Sequence, residues 1–243
     1  MRPKTVGLMC VKDEADLLPL VYPHIREQVD YLYVYDDFSQ DNTWELVKHS
    51  DYAIRAVDDL ARIQIPRPNY HHLLEKIKDN FAGEEVWVFI TMGDRFFMNK
   101  LPVQIVEEAN ADIVEGVQCD FLRPPWDPWT EENDPWPDCS KIKEICTYPK
   151  PSENCIVAYK LYNWMSYLEA AYPWPSGLGK CKVQYKGESH FNKPWLAHYG
   201  RRTPKAHMWR YASGSRKQSI KYKDWDLSSV ESTIRTVEFF NGL

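Results

Sequence analysis

Acidic side chains follow three apolar segments within residues 1–100 of this 243-residue chain. Carboxylates bind hard divalent cations through oxygen, and they accept hydrogen bonds from the hydroxyl and N–H groups of a nucleotide. Three strand-like segments that end in this way are more than an arbitrary α/β domain is expected to show. These carboxylates are therefore candidate ligands for a metal ion or a nucleotide. The residues are Lys12-Asp13-Glu14, Asp36-Asp37 and Gly93-Asp94.

A basic segment lies late in the chain, directly after a histidine at position 198. Residues 201–223 contain eight Lys or Arg residues and no Asp or Glu, although the net charge of the chain is −5. A solvated surface is one interpretation of this segment. The other is contact with a polyanion, such as a diphosphate, a nucleic acid or an anionic surface.

The elements that must position the acidic groups alternate between strand and helix. Continuous apolar runs predict buried strands, and the stretches between them have helix-like patterns at 12–28, 39–49 and 69–81, with Ser39 or Asp41 as the N-cap of the second. Such alternation predicts right-handed βαβ units and a parallel sheet, in which ligands bind beyond the carboxyl ends of the strands. We therefore expect the acidic groups to meet at one edge. The predicted strands are 5–11, 31–37, 52–57 and 85–91.

The second half of the chain is less regular. Alternating or apolar patterns predict strands at 113–122, 154–160 and 180–187, and an amphipathic pattern predicts a helix at 228–240. Residues 123–138 contain five Pro and three Trp, which is typical of a loop. Without a repeat or a linker, one domain spanning 1–243 is expected.

Four motifs of this chain resemble those of a family. In order and rough spacing they are similar to the motifs of a family 2-like glycosyltransferase with the GT-A fold, over about residues 5–100 and 186–210. The motifs are VKDEAD, YDDFSQDNT, WVFITMGDRFF and HYGRRTPKAH. The resemblance implies a Rossmann-like α/β fold with a mostly parallel central sheet flanked by helices and a smaller mixed C-terminal part. Residues 1–100 would form the nucleotide-binding half and 101–243 the acceptor-binding half, which includes the basic segment 201–223.

The resemblance also implies an activity and its residues. The protein would move a sugar from a nucleotide-sugar, in the first instance a UDP-sugar, to an acceptor hydroxyl with inversion at the anomeric carbon. A divalent cation, Mn²⁺ or Mg²⁺, would be held by Asp94 and His198. The donor would be bound by a larger set, with Asp37 near the base or ribose and the arginines at the diphosphate. That set is Glu14, Asp36, Asp37, Arg95, Arg201 and Arg202.

The chain departs from the family pattern at several positions. Met92 and Arg95 stand where the family has Asp and Glu, and a hard cation gains nothing from a thioether. Either Asp94 and His198 hold the metal with diphosphate and water, or Arg95 takes over part of the charge, or the protein binds nucleotide-sugar or carbohydrate with little or no catalysis. Asp13 replaces an Asn, and Phe38 replaces the Gly of a turn, which implies a turn without positive φ or a strained one.

The general base and the acceptor are left open. The base candidates lie in the 123–138 loop, and Asp127 and Glu131 come first, with Glu132 and Asp134 as alternatives. This loop is either merely rigid or an aromatic platform for the acceptor. The alternatives for the acceptor are a glycan, a lipid-linked or small acceptor, and a hydroxylated base in DNA bound through 201–223. The DNA alternative is suggested by Trp209, Tyr211 and Tyr222, which lie among the basic residues as in surfaces that hold single strands.

Cysteine usage and hydropathy exclude other classes. The six Cys residues form no C-x-x-C pair, which predicts reduced thiols rather than a disulfide scaffold or a zinc site. No apolar run approaches the roughly 20 residues that span a bilayer, and the first residues lack a signal-peptide pattern, so a cytoplasmic protein is expected. The oligomeric state is left open.

Overall fold

A computed structural model describes residues 2–56, 67–122, 148–165, 181–186 and 192–199. Within these residues the fold is mixed α/β, with one curled nine-stranded sheet flanked by helices. The helices are α1 (Leu18–Arg26), α2 (Thr43–Val47), α3 (Arg67–Asn80) and α4 (Pro102–Glu108). The strands are β1 (Lys4–Val11), β2 (Tyr31–Asp36), β3 (Tyr52–Arg55), β4 (Val86–Met92), β5 (Arg95–Phe97), β6 (Ile113–Leu122), β7 (Tyr148–Lys160), β8 (Val183–Gln184) and β9 (Trp195–His198).

The sheet has the order β3-β2-β1-β4-β7-β6-β9-β5, with β8 beside β6. The pairings among β1, β2, β3 and β4 are all parallel, which confirms the βαβ prediction for the first half of the chain. β7 runs antiparallel to both β4 and β6. β9 then lies parallel to β6 and antiparallel to β5. The sheet is thus mostly parallel, and its second half is mixed.

Two apolar layers cover the parallel half of the sheet. Buried residues of α1, Leu18, Val21 and Ile25, belong to the cluster on one face. Leu73 and Ile77 of α3 belong to the cluster on the other face. Because both faces of β1 and β4 are covered, these strands are continuous apolar runs rather than alternating ones.

The helices after β1 and β2 are shorter than predicted. α1 begins at Leu18 because Pro19 fits the first turn, where no N–H donor is needed. α2 covers only Thr43–Val47, and its N-cap residue is Asn42, which makes no capping hydrogen bond. The prediction of Ser39 or Asp41 as N-cap was wrong, because α2 begins directly after Asn42. Ser39 Oγ accepts from Asp13 N instead, whereas Asp41 Oδ1 accepts from the backbone N–H of Thr43, the first residue of α2, at 2.9 Å.

Several short elements do not appear among the predictions. β5, α4 and β9 were not predicted, and β8 is only two residues long where residues 180–187 were predicted as a strand. β7 begins earlier than predicted. The predicted loop at 123–138 and the predicted helix at 228–240 lie outside the described residues. No helix in the described part of the chain is long and apolar enough to cross a membrane.

Asp112 joins the start of β6 to two separate segments. Its carboxylate accepts hydrogen bonds from Tyr162 Oη at 2.5 Å and from the backbone N–H of Lys182 at 3.0 Å. These two bonds hold the pKa of Asp112 below its ordinary value. The bond to Asp112 also raises the pKa of Tyr162 to about 12.

We expect Tyr162→Phe to lower the free energy of unfolding by about 1 kcal/mol at pH 7, because Asp112 loses a hydrogen bond at a half-exposed site. For a chain of this size the melting temperature would fall by roughly 2–4 °C. A carboxylate with a lowered folded pKa stabilises above its unfolded pKa, 3.8, and loses that contribution as the pH falls through the folded value. The difference between wild type and variant should therefore shrink below about pH 4. Thermal unfolding at pH 7 and pH 3 checks this, and an equal difference at both would contradict it.

Candidate functional site

The carboxyl ends of β1, β2 and β4 meet at one edge of the sheet, as predicted, because the three strands are parallel neighbours. Two backbone hydrogen bonds continue the pairing past the strands. Asp37 N donates to Val11 O at 2.9 Å, and Gly93 N donates to Cys10 O at 3.3 Å. The three acidic groups therefore share this edge, which we call the strand-end edge.

The turn formed by residues 36–43 is tied to residues 12–15 by side chains. Three polar side chains of the turn accept backbone N–H groups of the neighbouring segment, and Asp13 Oδ1 accepts two from the turn in return. The bonds are Asp13 N to Ser39 Oγ (2.9 Å), Glu14 N to Thr43 Oγ1 (2.8 Å), Ala15 N to Asp41 Oδ2 (3.0 Å), and Gln40 N (2.5 Å) and Asp41 N (3.3 Å) to Asp13 Oδ1. The 36–43 turn is thus rigidly held at the strand-end edge.

Asp36 and Asp37 have different environments. Asp36 is completely buried; its Oδ1 accepts from the Ser39 hydroxyl and backbone N–H, and its Oδ2 pairs with Arg55 Nε at 2.9 Å. Burial raises the pKa of Asp36, and this effect exceeds the lowering by Ser39 and Arg55. Both oxygens of Asp36 thus support the turn.

Asp37 is less completely buried than Asp36. Its side chain is 15% exposed, and Lys12 Nζ lies 3.1 Å from its Oδ2. Its Oδ1 has no hydrogen-bond partner within the part of the chain that the structure describes. A buried acceptor atom without a described partner therefore lies beside the end of β2.

His198 lies between two aspartates at the far side of the same edge. Its Nε2 is 3.3 Å from Asp94 Oδ2, and its Nδ1 is 2.5 Å from Asp120 Oδ1. Asp94 and Asp120 are buried, whereas the His198 side chain is 14% exposed. We call this group the Asp94–His198–Asp120 triad. Strand register creates it, because β9 aligns His198 with Asp120 of β6, and Tyr199 N donates to Asp94 O at 2.9 Å.

The two carboxylates determine the charge of His198. Burial alone lowers the pKa of the imidazole, but the charge of Asp94 and the hydrogen bonds to Asp120 and Asp94 outweigh it. The net pKa of His198 is raised. The two carboxylates therefore stabilise the protonated imidazole relative to the neutral one.

Asp120 and Gln118 are site residues that the sequence interpretation missed. Gln118 Nε2 donates to Asp120 Oδ1 at 3.2 Å and so helps to orient the carboxylate. Both residues are buried on β6. The available signal was the presence of polar side chains within a segment, 113–122, that was predicted to be a strand. Their partner is 78 residues away from Asp120, so the signal alone did not identify it.

Gly93 lets Glu14 approach the turn that carries Asp94. A Cβ at Gly93 would collide with the Glu14 carboxylate and would lie 3.0 Å from Val11 Cγ1. Glu14 is 4% exposed. Its side chain therefore lies on the Asp94 side of the edge, while its backbone N–H is bound by Thr43.

Arg95 lies on the same face of the sheet as His198, because the two are directly opposed in the β5–β9 pairing. The guanidinium Nε is buried without a hydrogen-bond partner among the described residues. Met92 is the last residue of β4. Four other predicted site residues lie outside the described residues: Arg201, Arg202, Asp127 and Glu131.

Asp94 and His198 have a spacing that suits one metal ion. Two ligands about 2.1 Å from an octahedral cation are about 3.0 Å apart, close to the observed 3.3 Å. The hydrogen bond from Nδ1 to Asp120 is the usual orienting contact of a metal-bound histidine. No group of three or more His, Cys, Asp or Glu side chains is arranged to hold a metal among the described residues. A cation here would therefore need oxygen ligands from a phosphate or water, as Mg²⁺ commonly has.

A search with family models and a search of curated proteins both find no match to this chain. Any function must therefore be argued from the geometry of the strand-end edge.

Proposed function

We propose that this protein is a glycosyltransferase of the GT-A type, which moves a sugar from a nucleotide-sugar to an acceptor hydroxyl. One observation supports the proposal most. His198, from the second half of the chain, lies 3.3 Å from Asp94 at the carboxyl end of β4, on the same edge as the Asp37 carboxylate. A nucleoside diphosphate needs an acceptor for its nucleoside, such as Asp37, and a cation site for its diphosphate, such as Asp94 with His198, a short distance apart.

The nucleoside and the diphosphate would occupy different parts of the edge. Asp37 would accept a hydrogen bond from the base or ribose, and Glu14 would line the pocket beside Gly93. Asp94 and His198 would hold Mn²⁺ or Mg²⁺, which when bound neutralises charge on the departing diphosphate. Arg95 would donate to the diphosphate, because it shares a face with His198 and its Nε has no other partner among the described residues.

The proposed transfer forms one bond and breaks one. The acceptor oxygen attacks the anomeric carbon, the bond from that carbon to the diphosphate oxygen breaks, and a carboxylate takes the acceptor proton. Attack from the side opposite to the leaving group inverts the anomeric carbon. The carboxylates proposed for the proton are Asp127 and Glu131, in the segment 123–138.

Binding without turnover is the second candidate function. It is favoured by the position of Arg95, which brings a cation to the face where the family has an acidic residue. A positive charge next to His198 opposes a divalent cation at the same place. In that case the protein would bind nucleotide-sugars or carbohydrates and release no product.

A thermal-shift screen with nucleotide-sugars, with and without Mn²⁺ or Mg²⁺, tests the proposal. A ligand at 100 times its Kd stabilises the folded protein by about 2.7 kcal/mol. We expect a metal-dependent shift with a UDP-sugar and slow release of UDP, detected by chromatography. No shift with any nucleotide-sugar would contradict the proposal. A shift without UDP release, even when acceptors are supplied, would support the second candidate instead.

The acceptor class has a separate test. If the acceptor is a hydroxylated base in DNA, the basic segment 201–223 would bind the phosphate backbone, and retention on DNA would fall steeply with salt. Transfer of labelled sugar to hydroxymethylated DNA would support this acceptor. Absence of retention at low salt would leave a glycan, lipid-linked or small acceptor.

We expect Asp120→Asn to weaken Mn²⁺ binding by about 10–100-fold, because the neutral amide no longer fixes the orientation of His198. The substitution preserves the shape of the side chain, so the fold should be retained. Electron paramagnetic resonance of free and bound Mn²⁺ measures the affinity. Glu107→Gln, at an exposed position on α4, is the control that removes the same charge. Equal affinities in the two variants would show that Asp120 has no such role.

A further inference from the structure

Phe38 has an unfavourable backbone conformation in the 36–43 turn. Its φ is +56°, in the left-handed region that favours glycine. A bulky residue is uncommon there, and such strain persists only where the surrounding structure enforces it. Of the two possibilities that the sequence left open, a turn without positive φ and a strained one, the structure has the strained turn.

Three hydrogen bonds to the backbone of Phe38 and Ser39 enforce this conformation. Ser39 N donates to Asp36 Oδ1 at 3.1 Å, and the Gln40 side chain donates to Phe38 O at 3.1 Å. Arg55 Nη2 donates to Ser39 O at 2.5 Å. These contacts would hold a glycine equally well, so the backbone does not explain why an aromatic ring is present.

The ring forms part of an ordered surface at the end of β2. The Arg55 guanidinium carbon lies 6.0 Å from the Phe38 ring centroid and 5.9 Å from that of Trp44, while Asp36 fixes the guanidinium from the buried side. Phe38 itself is half-buried. A flat apolar group is therefore held in place at the surface of the strand-end edge.

The neighbouring residue provides a polar contact. Asp37 is the residue directly before Phe38; its side chain is 15% exposed, and its buried Oδ1 has no hydrogen-bond partner among the described residues. An aromatic ring and a carboxylate on consecutive residues match a nucleobase and its ribose, which have a π-face and donor groups close together.

We propose that Phe38 stacks on the nucleobase of the bound nucleotide and so determines its affinity. The inference rests on the proposed function, and it assigns the base, rather than the diphosphate, to the Phe38–Arg55 surface. Stacking tolerates different bases, so Phe38 would supply affinity while Asp37 supplies selectivity through hydrogen bonding.

Calorimetric titration with two probes, UDP and inorganic pyrophosphate, tests this in the presence of Mn²⁺. For Phe38→Gly we expect UDP affinity to fall by about 5–150-fold, the range for loss of one base–aromatic stack. Pyrophosphate affinity should be unchanged, because it has no base. Phe38→Tyr should retain UDP affinity. If the glycine variant does not fold, Phe38→Leu replaces it in the test, because leucine keeps the apolar volume without the ring and should also lose UDP affinity.

Tyr185→Gly is the matched control. Tyr185 is also an aromatic residue with positive φ, +65°, and it contacts Lys100 rather than the strand-end edge. UDP affinity should be unchanged in this variant. Equal losses for UDP and pyrophosphate in Phe38→Gly, or no loss for either, would overturn the inference and leave the proposed function intact. Wild-type protein that binds neither probe would instead overturn the proposed function.

Discussion

Replacement of Asp94 by Asn is expected to lower nucleotide-sugar turnover by at least about 100-fold, the usual cost of removing one group that stabilises developing charge. Asp94 is buried, and its Oδ2 lies 3.3 Å from His198 Nε2. The amide preserves the shape of the side chain but removes the negative charge on which cation binding would depend. The loss should therefore appear in kcat measured with saturating Mn²⁺ and donor.

Asp79→Asn is the control for this prediction. Asp79 is an exposed residue of α3, so its replacement removes the same charge far from the strand-end edge. Circular dichroism should show that both variants are folded, and release of UDP measures turnover. Unchanged turnover in Asp94→Asn would refute the metal role assigned to Asp94.

Replacement of Lys193 by Met is expected to have the largest effect on stability. Lys193 is completely buried, and its Nζ lies 3.3 Å from Glu115 Oε2 and 3.1 Å from Asn154 Oδ1. Methionine has a similar length but leaves the carboxylate of Glu115 without its cation. The Glu115 side chain is 23% exposed, so water can partly replace the cation, and the expected loss is about 1–3 kcal/mol. This corresponds to a fall in melting temperature of roughly 2–12 °C for a chain of this size.

The backbone of Lys193 also takes part in the structure that precedes β9. Its carbonyl accepts from the Asn99 side chain at 3.0 Å, and Asn99 Oδ1 accepts from Trp195 N at 2.7 Å. A Cβ at Gly116 of β6 would lie 2.6 Å from Pro194 O, so only glycine lets the two segments approach. The strand that carries His198 is therefore fixed at its first residue.

Lys186→Met provides the comparison for this prediction, because Lys186 is exposed. Surface substitutions of this kind usually change stability by less than about 0.5 kcal/mol. Thermal unfolding followed by circular dichroism measures both variants. Equal melting temperatures for Lys193→Met and Lys186→Met would contradict the prediction.

The parallel half of the sheet was predictable because its signals are local. β1, β2 and β4 are apolar runs bounded by polar residues, and the stretches between them fit helices, so the alternation could be recognised without tertiary information. β5 and β9, by contrast, have three and four residues. Runs this short carry no reliable periodicity, and only pairing with each other and with β6 makes them strands.

The candidate site also has residues that could be predicted from local signals and residues that could not. Asp37 and Asp94 could be predicted because each follows a strand, and the chain-connection rules bring such positions to one edge. The role of Asp36 in supporting the turn could not be predicted, because it depends on an ion pair with Arg55 at the end of β3. The strained φ of Phe38 likewise depends on the next residue, Ser39, whose N–H donates to Asp36 and whose carbonyl accepts from Arg55.

The sequence by itself determined the alternating first half, the parallel orientation of its strands and the carboxylates at their ends. These follow from hydrophobic periodicity and short connections, which act over neighbouring residues. Only the tertiary structure decided that His198 lies between Asp94 and Asp120. That arrangement depends on the register of β9 against β5 and β6, and register is set by packing and hydrogen bonding between segments far apart in the chain.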